Sequence, residues 1–213
     1  MPGLTDLQAE ILRRFFAARQ DFFLTGGAAL AGFHLHHRAT HDLDLFSSSV
    51  SSLDDAERTL AGIAQQLGYT LEALRRSPSF LRFLLKGSEE GLVVDLVRDD
   101  TPQLYTKAVF GTIIVDSAEE ILANKLCTLL SRVEIRDLVD VATLARAGLD
   151  PIAAVPAAAR KDGGVSASQL AWVLSSFPVP LDDSLLHGVP RQELLAFRDD
   201  LIRRLTALAF PGN

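Results

Sequence analysis

The 213-residue chain has only one cysteine, Cys127, and no apolar run that approaches the ~20 residues of a membrane-spanning helix. A single cysteine excludes an internal disulfide and favours a reducing compartment. The opening residues, MPGLTDLQAE, lack the basic region and apolar stretch of a signal peptide. We therefore expect a cytoplasmic protein that does not cross a membrane. Cys127 lies in the apolar sequence ILANKLCTLL and is expected to be a buried core thiol.

Net positive charge is also lacking, since the formal charge is −6 at pH 7 and the pI is about 5.3. Nonspecific binding to nucleic acid depends on neutralising phosphates, so the net negative charge argues against such binding. A local basic cleft is still compatible with a negative net charge. Hydrophobic residues make up 48% of the chain and charged residues 23%. That composition is typical of a globular protein with a sizeable core.

Local patterns divide the chain into an α/β part, residues 1–116, and an all-α part, residues 117–213. Capping boxes begin helices where Thr5 precedes Gln8 and Ser117 precedes Glu120. Short apolar runs separated by turn dipeptides predict strands. These strands lie at 22–25, 43–46, 69–74, 80–85, 92–97 and 112–115. Further helices are predicted at 28–36, at 52–67 with Ser52 as N-cap, at 135–147, from Pro151, from Ser166, and at 191–210.

This order of elements predicts a mixed sheet flanked by helices, followed by a helical lobe that closes a cleft. The segment 22–46, FFLTGGAALAGFHLHHRATHDLDLF, is the most informative part of the sheet region. Alternate side chains of a strand share a face, so Asp42 and Asp44 are expected to point the same way. Two like charges held so close favour a bridging cation, and the hard cation Mg²⁺ prefers carboxylate oxygens.

Gly26 and Gly27 stand between a predicted strand and a predicted helix. The free N–H groups at the start of such a helix favour a phosphate. A tight turn that requires a positive φ or close packing would also explain the two glycines. Asp95, in the apolar strand LVVDLV, is costly to bury unless it is paired or binds a metal. It is therefore a third metal ligand, the partner of Arg82 or Arg98, or a residue near the end of the strand.

The ordered pattern Gly26-Gly27-x-x-Leu30 followed by His37-Arg38-x-Thr40-x-Asp42-x-Asp44 resembles the AbiEii-type nucleotidyltransferases. These proteins are the toxins of a bacterial toxin–antitoxin system and have a polymerase β-like nucleotidyltransferase fold. Asp95, Lys125 with Arg132, and the run Arg136-Asp137-x-x-Asp140 fit the same family. The resemblance covers roughly residues 22–144.

The resemblance implies transfer of a nucleoside monophosphate from an NTP to an acceptor hydroxyl, with release of pyrophosphate. It implies a two-ion Mg²⁺ site held by Asp42, Asp44 and Asp95. Lys125 would contact the nucleotide phosphates, and Asp137 would hold the lysine or a substrate group. The catalytic residues implied are Asp42, Asp44, Asp95, Lys125 and Asp137, and the nucleotide-binding residues are Gly26, Gly27, Arg38, Thr40 and Lys125.

The resemblance also implies a tRNA 3′ end as acceptor, toxicity through blocked translation, and the type IV class of toxin–antitoxin system. The cognate antitoxin would be a DNA-binding repressor. A small-molecule nucleotidyltransferase of the same fold, such as an aminoglycoside-modifying enzyme, is an alternative, because an acidic protein suits a cationic substrate. A catalytically inactive nucleotide-binding module is another, which the intact acids disfavour.

Other functions and ordinary structural roles are also possible for some of these residues. A haloacid-dehalogenase-type phosphatase also uses Asp-x-Asp, but it requires an apolar strand before the first aspartate, and residues 36–41 are polar. The histidines near this segment suggest zinc, which no ordered Cys/His spacing supports. Lys125 could extend from an apolar helix stripe to solvent. Arg136 and Asp137 could form an ion pair at a helix start.

Overall fold

The computed structural model describes residues 3–48, 53–88 and 90–211. The chain divides into two compact units between Ser117 and Ala118. The first unit contains a mixed sheet with helices, and every regular element described in the second unit is helical. The predicted fold class, an α/β part followed by an all-α part, is confirmed.

The first unit begins with helix α1 (Asp6–Ala18), whose start the sequence predicts correctly. The Thr5 side chain accepts a hydrogen bond from the backbone N–H of Gln8, and the Gln8 side chain accepts one from the backbone of Thr5. Helix α3 (Leu53–Gln66) ends just before Gly68, which has a φ of +79°. The predicted N-cap Ser52 lies outside the described residues.

Within the described residues, one sheet contains seven strands: β1 (Phe23–Thr25), β2 (Asp42–Ser47), β3 (Thr70–Ser77), β4 (Phe80–Lys86), β5 (Gly91–Arg98), β6 (Ala108–Phe110) and β7 (Ile113–Val115). They lie in the order β3-β4-β5-β2-β1-β7-β6. The pairs β2–β5 and β1–β7 are parallel, and the other neighbouring pairs are antiparallel. Six strands were predicted. No local pattern predicts β6, which is only three residues long and largely exposed.

The segment after β1 differs from its prediction. Helix α2 (Gly26–Ala29) begins at the first glycine rather than at Ala28, and it continues as a π-helix (Leu30–His34). The N–H of Leu35 donates to the carbonyl of Leu30 at 2.7 Å, which closes the wide turn. His36 then has a φ of +52°, so the helical path ends before the predicted boundary.

The second unit contains helices α4 (Ala118–Ser131), α5 (Ile135–Arg146), α6 (Pro151–Lys161), α7 (Ala167–Ser175) and α8 (Arg191–Ala209), with a 3₁₀ turn (Asp183–Leu186) before α8. Side chains of Asp150 and Ser166 cap α6 and α7, as their positions predict. Cys127 is half-buried rather than fully buried, and its Sγ lies 3.5 Å from the carbonyl oxygen of Ala158. None of the described helices is both long and apolar enough to cross a membrane.

Candidate active site

Three carboxylates share one face of the sheet. Asp42 and Asp44 are half-buried on β2, whereas Leu43 and Leu45 on the opposite face are completely buried. The common face of Asp42 and Asp44 is therefore as predicted. Strand β5 runs parallel to β2, with Asp95 as the register partner of Asp44. Register partners on adjacent strands have side chains on the same face, so Asp95 joins the other two.

Asp95 is engaged by an arginine of the neighbouring strand. Arg82 of β4 is its register partner on the other side. The Nε of Arg82 donates to Oδ1 of Asp95 at 2.8 Å, and Nη2 donates to Oδ2 at 2.6 Å. Of the two partners that the sequence offered, Arg82 and Arg98, the structure selects Arg82. This two-point geometry is the strong form of an arginine–carboxylate pair.

The glycine turn lies directly against Asp44. Gly26 has a φ of +66°, and a Cβ atom at this position would lie 2.3 Å from Oδ2 of Asp44. A Cβ atom at Gly27 would lie 2.7 Å from Nη2 of Arg38. The half-buried Arg38 also donates from Nη1 to the carbonyl of Ala39 at 3.1 Å. Positive φ and close packing thus both require glycine at Gly26, whatever ligand the turn binds.

Thr40 connects helix α1 to the aspartates. It is buried, and its Oγ1 donates to Oδ1 of Asp42 at 3.1 Å. Its carbonyl oxygen accepts a hydrogen bond from Nε2 of Gln8 at 3.0 Å. Oε1 of the same glutamine accepts from the backbone N–H of Thr5 at 2.8 Å. One buried amide therefore caps α1 and fixes the loop that leads into β2.

The carboxylate face fits a hard divalent cation in the chemistry of its donors, because Mg²⁺ prefers carboxylate oxygens. The positions of these side chains, however, do not form a ready-made metal-binding group. Among residues 3–48, 53–88 and 90–211, no group of three or more His, Cys, Asp or Glu side chains is arranged to hold a metal ion. Both oxygens of Asp95 already accept from Arg82. An ion that binds Asp95 must therefore compete with the guanidinium.

The second unit contains a buried ion cluster around Lys125 of α4. Its Nζ lies 2.7 Å from Oδ1 of Asp137 and 2.7 Å from Oδ2 of Asp140, both on α5. All three side chains are buried, so Lys125 does not extend to solvent. Arg132 adds a further pair, with its Nε 2.8 Å from Oδ2 of Asp137. The lysine is therefore held by Asp137, one of the two roles that the resemblance gave this aspartate.

The ion cluster determines the charge state of Asp137. Burial on its own raises the pKa of Asp137, but the positive charge of Lys125 and the hydrogen bonds from Arg132 and Lys125 oppose it. The net result is a pKa below the ordinary value, so Asp137 is ionised at neutral pH. In this cluster Asp137 pairs with Lys125 and Arg132, and the Arg136–Asp137 pair stays a prediction.

Two further side chains, Asp140 and Arg82, join these clusters although the sequence does not single them out as site residues. Asp140 belongs to the motif Arg136-Asp137-x-x-Asp140, and its spacing of three residues from Asp137 places both on one helix face. Arg82 is one of two arginines that the sequence suggests as a partner of Asp95. The signal that singles it out is a charged residue within the alternating apolar strand FLRFLLK.

Two solved structures with TM-scores above 0.5 support the fold. The chain resembles a Helicobacter pylori protein provisionally named a nucleotidyltransferase, with a TM-score of 0.56 and 22% identity over 95% of this chain and 96% of the other. It also resembles JHP933 from Helicobacter pylori, with a TM-score of 0.55 and 18% identity over 97% and 96%. MenT4, a nucleotidyltransferase toxin from Mycobacterium tuberculosis, matches with a TM-score of 0.43 and 14% identity over 94% and 91%.

No curated protein matches the chain in sequence. A family model does match, and it covers residues 10–210, almost the whole chain. The family is described as the nucleotidyl transferase AbiEii toxin of the type IV toxin–antitoxin system. The chain therefore belongs to the AbiEii nucleotidyltransferase toxin family, and it is a nucleotidyl-transfer enzyme.

Proposed function

We propose that this enzyme transfers a nucleoside monophosphate from an NTP to the 3′ end of tRNA, with Mg²⁺, as the toxin of a type IV toxin–antitoxin system. The observation that carries the proposal is the register of β2 and β5, which brings Asp42, Asp44 and Asp95 to one face. The glycine turn is packed against the same face. Carboxylates beside a glycine turn suit the metal and the phosphates of a nucleotide.

Each residue of this face has a distinct part in the proposal. Asp42, Asp44 and Asp95 are the carboxylates that would hold Mg²⁺, which when bound lowers the pKa of the attacking hydroxyl and neutralises the leaving pyrophosphate. Thr40 fixes the Asp42 carboxylate through its hydrogen bond. Arg38 binds the triphosphate, because a guanidinium matches phosphate geometry.

The backbone of Gly26 and Gly27 offers N–H groups to the phosphates of the NTP. Lys125 and Asp137 have their catalytic assignment from the family resemblance. The buried cluster supports a division of roles, in which Asp137 and Asp140 fix the ammonium and Lys125 binds phosphate with its remaining N–H. Lys125→Ala is expected to weaken NTP binding, whereas Asp44→Asn should abolish turnover with less effect on affinity. Unchanged NTP affinity in folded Lys125→Ala would remove Lys125 from the nucleotide site.

The activity is tested by incubating the protein with Mg²⁺, total RNA and each NTP labelled at the α-phosphate. We expect one RNA size class to become labelled, and Asp44→Asn and Asp95→Asn to lose the label. Asp55→Asn is the matched control, because Asp55 lies on α3, its side chain is 46% exposed, and it pairs with Arg58 three residues later in the same helix. Equal labelling by wild type and Asp44→Asn would refute the assignment of the carboxylate face.

The acceptor is tested by comparing intact tRNA with tRNA whose terminal ribose has been oxidised by periodate. Oxidation destroys the 3′ hydroxyl, so labelling should disappear if that hydroxyl is the acceptor. Persistent labelling of oxidised tRNA would exclude the 3′ end. A tRNA acceptor also places the enzyme in the cytoplasm, where translation occurs.

RNA binding by a chain of net charge −6 requires a local basic region. The proposed region consists of Arg132, Arg136 and Arg160 of the second unit, which are all at least partly exposed. Affinity for tRNA should fall steeply with salt, and each Arg→Gln change should reduce the log–log slope by about one. Arg203→Gln, an exposed arginine of α8, is the control.

Toxicity is tested by overexpression in bacteria, which should slow growth, whereas Asp44→Ala should relieve the effect. The proposed antitoxin is a DNA-binding repressor, and co-expression with it should restore growth of the wild-type strain.

The acidic charge of the chain favours one competing function, transfer to a cationic small molecule such as an aminoglycoside. Labelling of aminoglycosides but of no RNA, with all four NTPs, would favour that alternative. NTP binding without any transfer would favour an inactive nucleotide-binding module.

A further inference from the structure

Arg82 differs from the other arginines of β3 and β4 in what its charge contacts. Its guanidinium forms the two-point pair with Asp95, yet 44% of the Arg82 side chain is exposed, against 4% for Asp95. It also lies over the ring of Phe80, 5.5 Å from the centroid. One partner of the pair is therefore fixed in the sheet, and the other is accessible to solvent.

The charges on this face explain why a cation belongs at this position. Asp42, Asp44 and Asp95 share the face, and three carboxylates so placed repel one another. Arg82 pairs directly with Asp95, and the strand alternation and register of β2 place Asp42 and Asp44 on the same face. All three carboxylates therefore act electrostatically on the one guanidinium.

We propose that Arg82 is a positioning residue, which neutralises Asp95 in the metal-free protein and competes with the divalent cation for that carboxylate. This inference depends on the proposed metal role of the carboxylate face. The guanidinium holds Asp95 in one orientation by its two hydrogen bonds. Cation binding at Asp95 then requires the exposed partner to give way while the buried carboxylate stays in place.

The competition predicts that removing the guanidinium strengthens metal binding. We expect Arg82→Gln to bind Mn²⁺ about tenfold more tightly than wild type, because a positive charge close to the ion is removed. Arg82→Lys keeps the charge but loses the planar fork, so its gain should be smaller, about threefold. Mn²⁺ is added alone, without nucleotide, and the free ion is followed by its electron paramagnetic resonance signal.

Arg75→Gln is the matched control. Arg75 is the register partner of Arg82 on β3 and lies over the same Phe80 ring, also 5.5 Å from its centroid. Across the described part of the chain it forms no ion pair with a carboxylate. The two Gln variants therefore remove the same charge from the same strand pair, and only Arg82→Gln releases Asp95. The Arg75→Gln affinity should stay near that of wild type.

The outcomes separate this inference from the proposed function. Asp44→Asn should abolish Mn²⁺ binding both in the wild-type protein and in the Arg82→Gln variant. If the Asp44→Asn variant binds Mn²⁺ as tightly as wild type, the metal role of the carboxylate face is refuted. The Arg82 inference is supported if Arg82→Gln, or Arg82→Lys where the Gln variant does not fold, gains affinity over Arg75→Gln. It is overturned if neither Arg82 variant binds more tightly than Arg75→Gln, including the case in which none of them binds. The gain of Arg82→Gln should also shrink when Asp95 is already asparagine.

Discussion

Replacing Gly26 with alanine is expected to impair nucleotidyl transfer much more than folding. The φ of +66° at Gly26 destabilises an L-residue by about 1–2 kcal/mol. The added methyl carbon would also lie 2.3 Å from Oδ2 of Asp44, whereas ordinary contact begins at 3.4 Å. The carboxylate must therefore move by about 1 Å, and a displacement of that size in a catalytic group can reduce the rate about 100-fold.

Gly68→Ala separates backbone strain from the contact with Asp44. Gly68 has a φ of +79°, and a Cβ atom there would meet nothing within 4 Å. The Gly68→Ala variant should therefore lose about 1–2 kcal/mol of unfolding free energy, as Gly26→Ala does from backbone strain, and it should retain the wild-type turnover rate. The assays are urea unfolding, and initial rates of labelled-NMP transfer expressed per folded molecule.

The position of the Asp44 carboxylate is what this comparison tests. If Gly26→Ala and Gly68→Ala turn over at similar rates per folded molecule, the reasoning that ties the glycine turn to the aspartate is wrong. Gly27→Ala provides a graded case, because its Cβ atom would meet the far end of Arg38, at 2.7 Å, rather than a carboxylate. A long flexible side chain can move aside, so the loss of turnover should be smaller.

Three further predictions concern the second unit. Lys125→Met should lower the unfolding free energy by about 3–5 kcal/mol, as urea unfolding measures, because Asp137 and Asp140 stay buried without their ammonium partner. Burial raises the pKa of Asp137 in the folded protein, but Lys125 and Arg132 lower it more, so the pKa lies below its ordinary value. The ionised Asp137 therefore stabilises the folded protein at any pH above its pKa in the unfolded chain, and this contribution is lost as the pH falls through its pKa in the folded protein. The unfolding free energies of wild type and Asp137→Asn should therefore converge in acid, as acid unfolding measures. Burial raises the pKa of Cys127 to about 11, so its thiolate fraction at pH 8 should be roughly a hundredfold smaller than in a free thiol, and iodoacetamide should react correspondingly slowly.

The sequence predicted most element boundaries because their signals are local. Thr5 with Gln8 caps α1 as expected, α6 begins at Pro151 as expected, with Asp150 as its cap, and Ser166 caps α7, while the positive φ of Gly68 follows the end of α3. A hydroxyl or carboxylate that accepts from a backbone N–H two or three residues later requires no knowledge of the rest of the chain. The π-helix after α2 has no such local signal in the sequence.

Register could not be derived from the sequence. Asp42 and Asp44 share a face by strand alternation alone, but the pairing of Asp44 with Asp95 depends on two strands about fifty positions apart becoming parallel neighbours. The choice of Arg82 over Arg98 as the partner of Asp95 depends on the antiparallel register of β4 and β5. A shift of one residue would move every side chain of a strand to the opposite face. The metal-binding and catalytic roles of these residues stay predictions.

The ion cluster around Lys125 and the Arg82–Asp95 pair differ in burial, and therefore in how easily their charges can be separated. Lys125 and its two aspartates are all buried, so separating them would leave unpaired charge in the interior, and the cluster is a permanent part of the second unit. The Arg82–Asp95 pair has one exposed partner. Its guanidinium is already partly in water, so it would leave Asp95 without uncovering a buried charge of its own, as the proposed exchange with a metal ion requires. An exchangeable counter-charge belongs where an ion must bind and leave, whereas a closed cluster suits a side chain that has to keep one position.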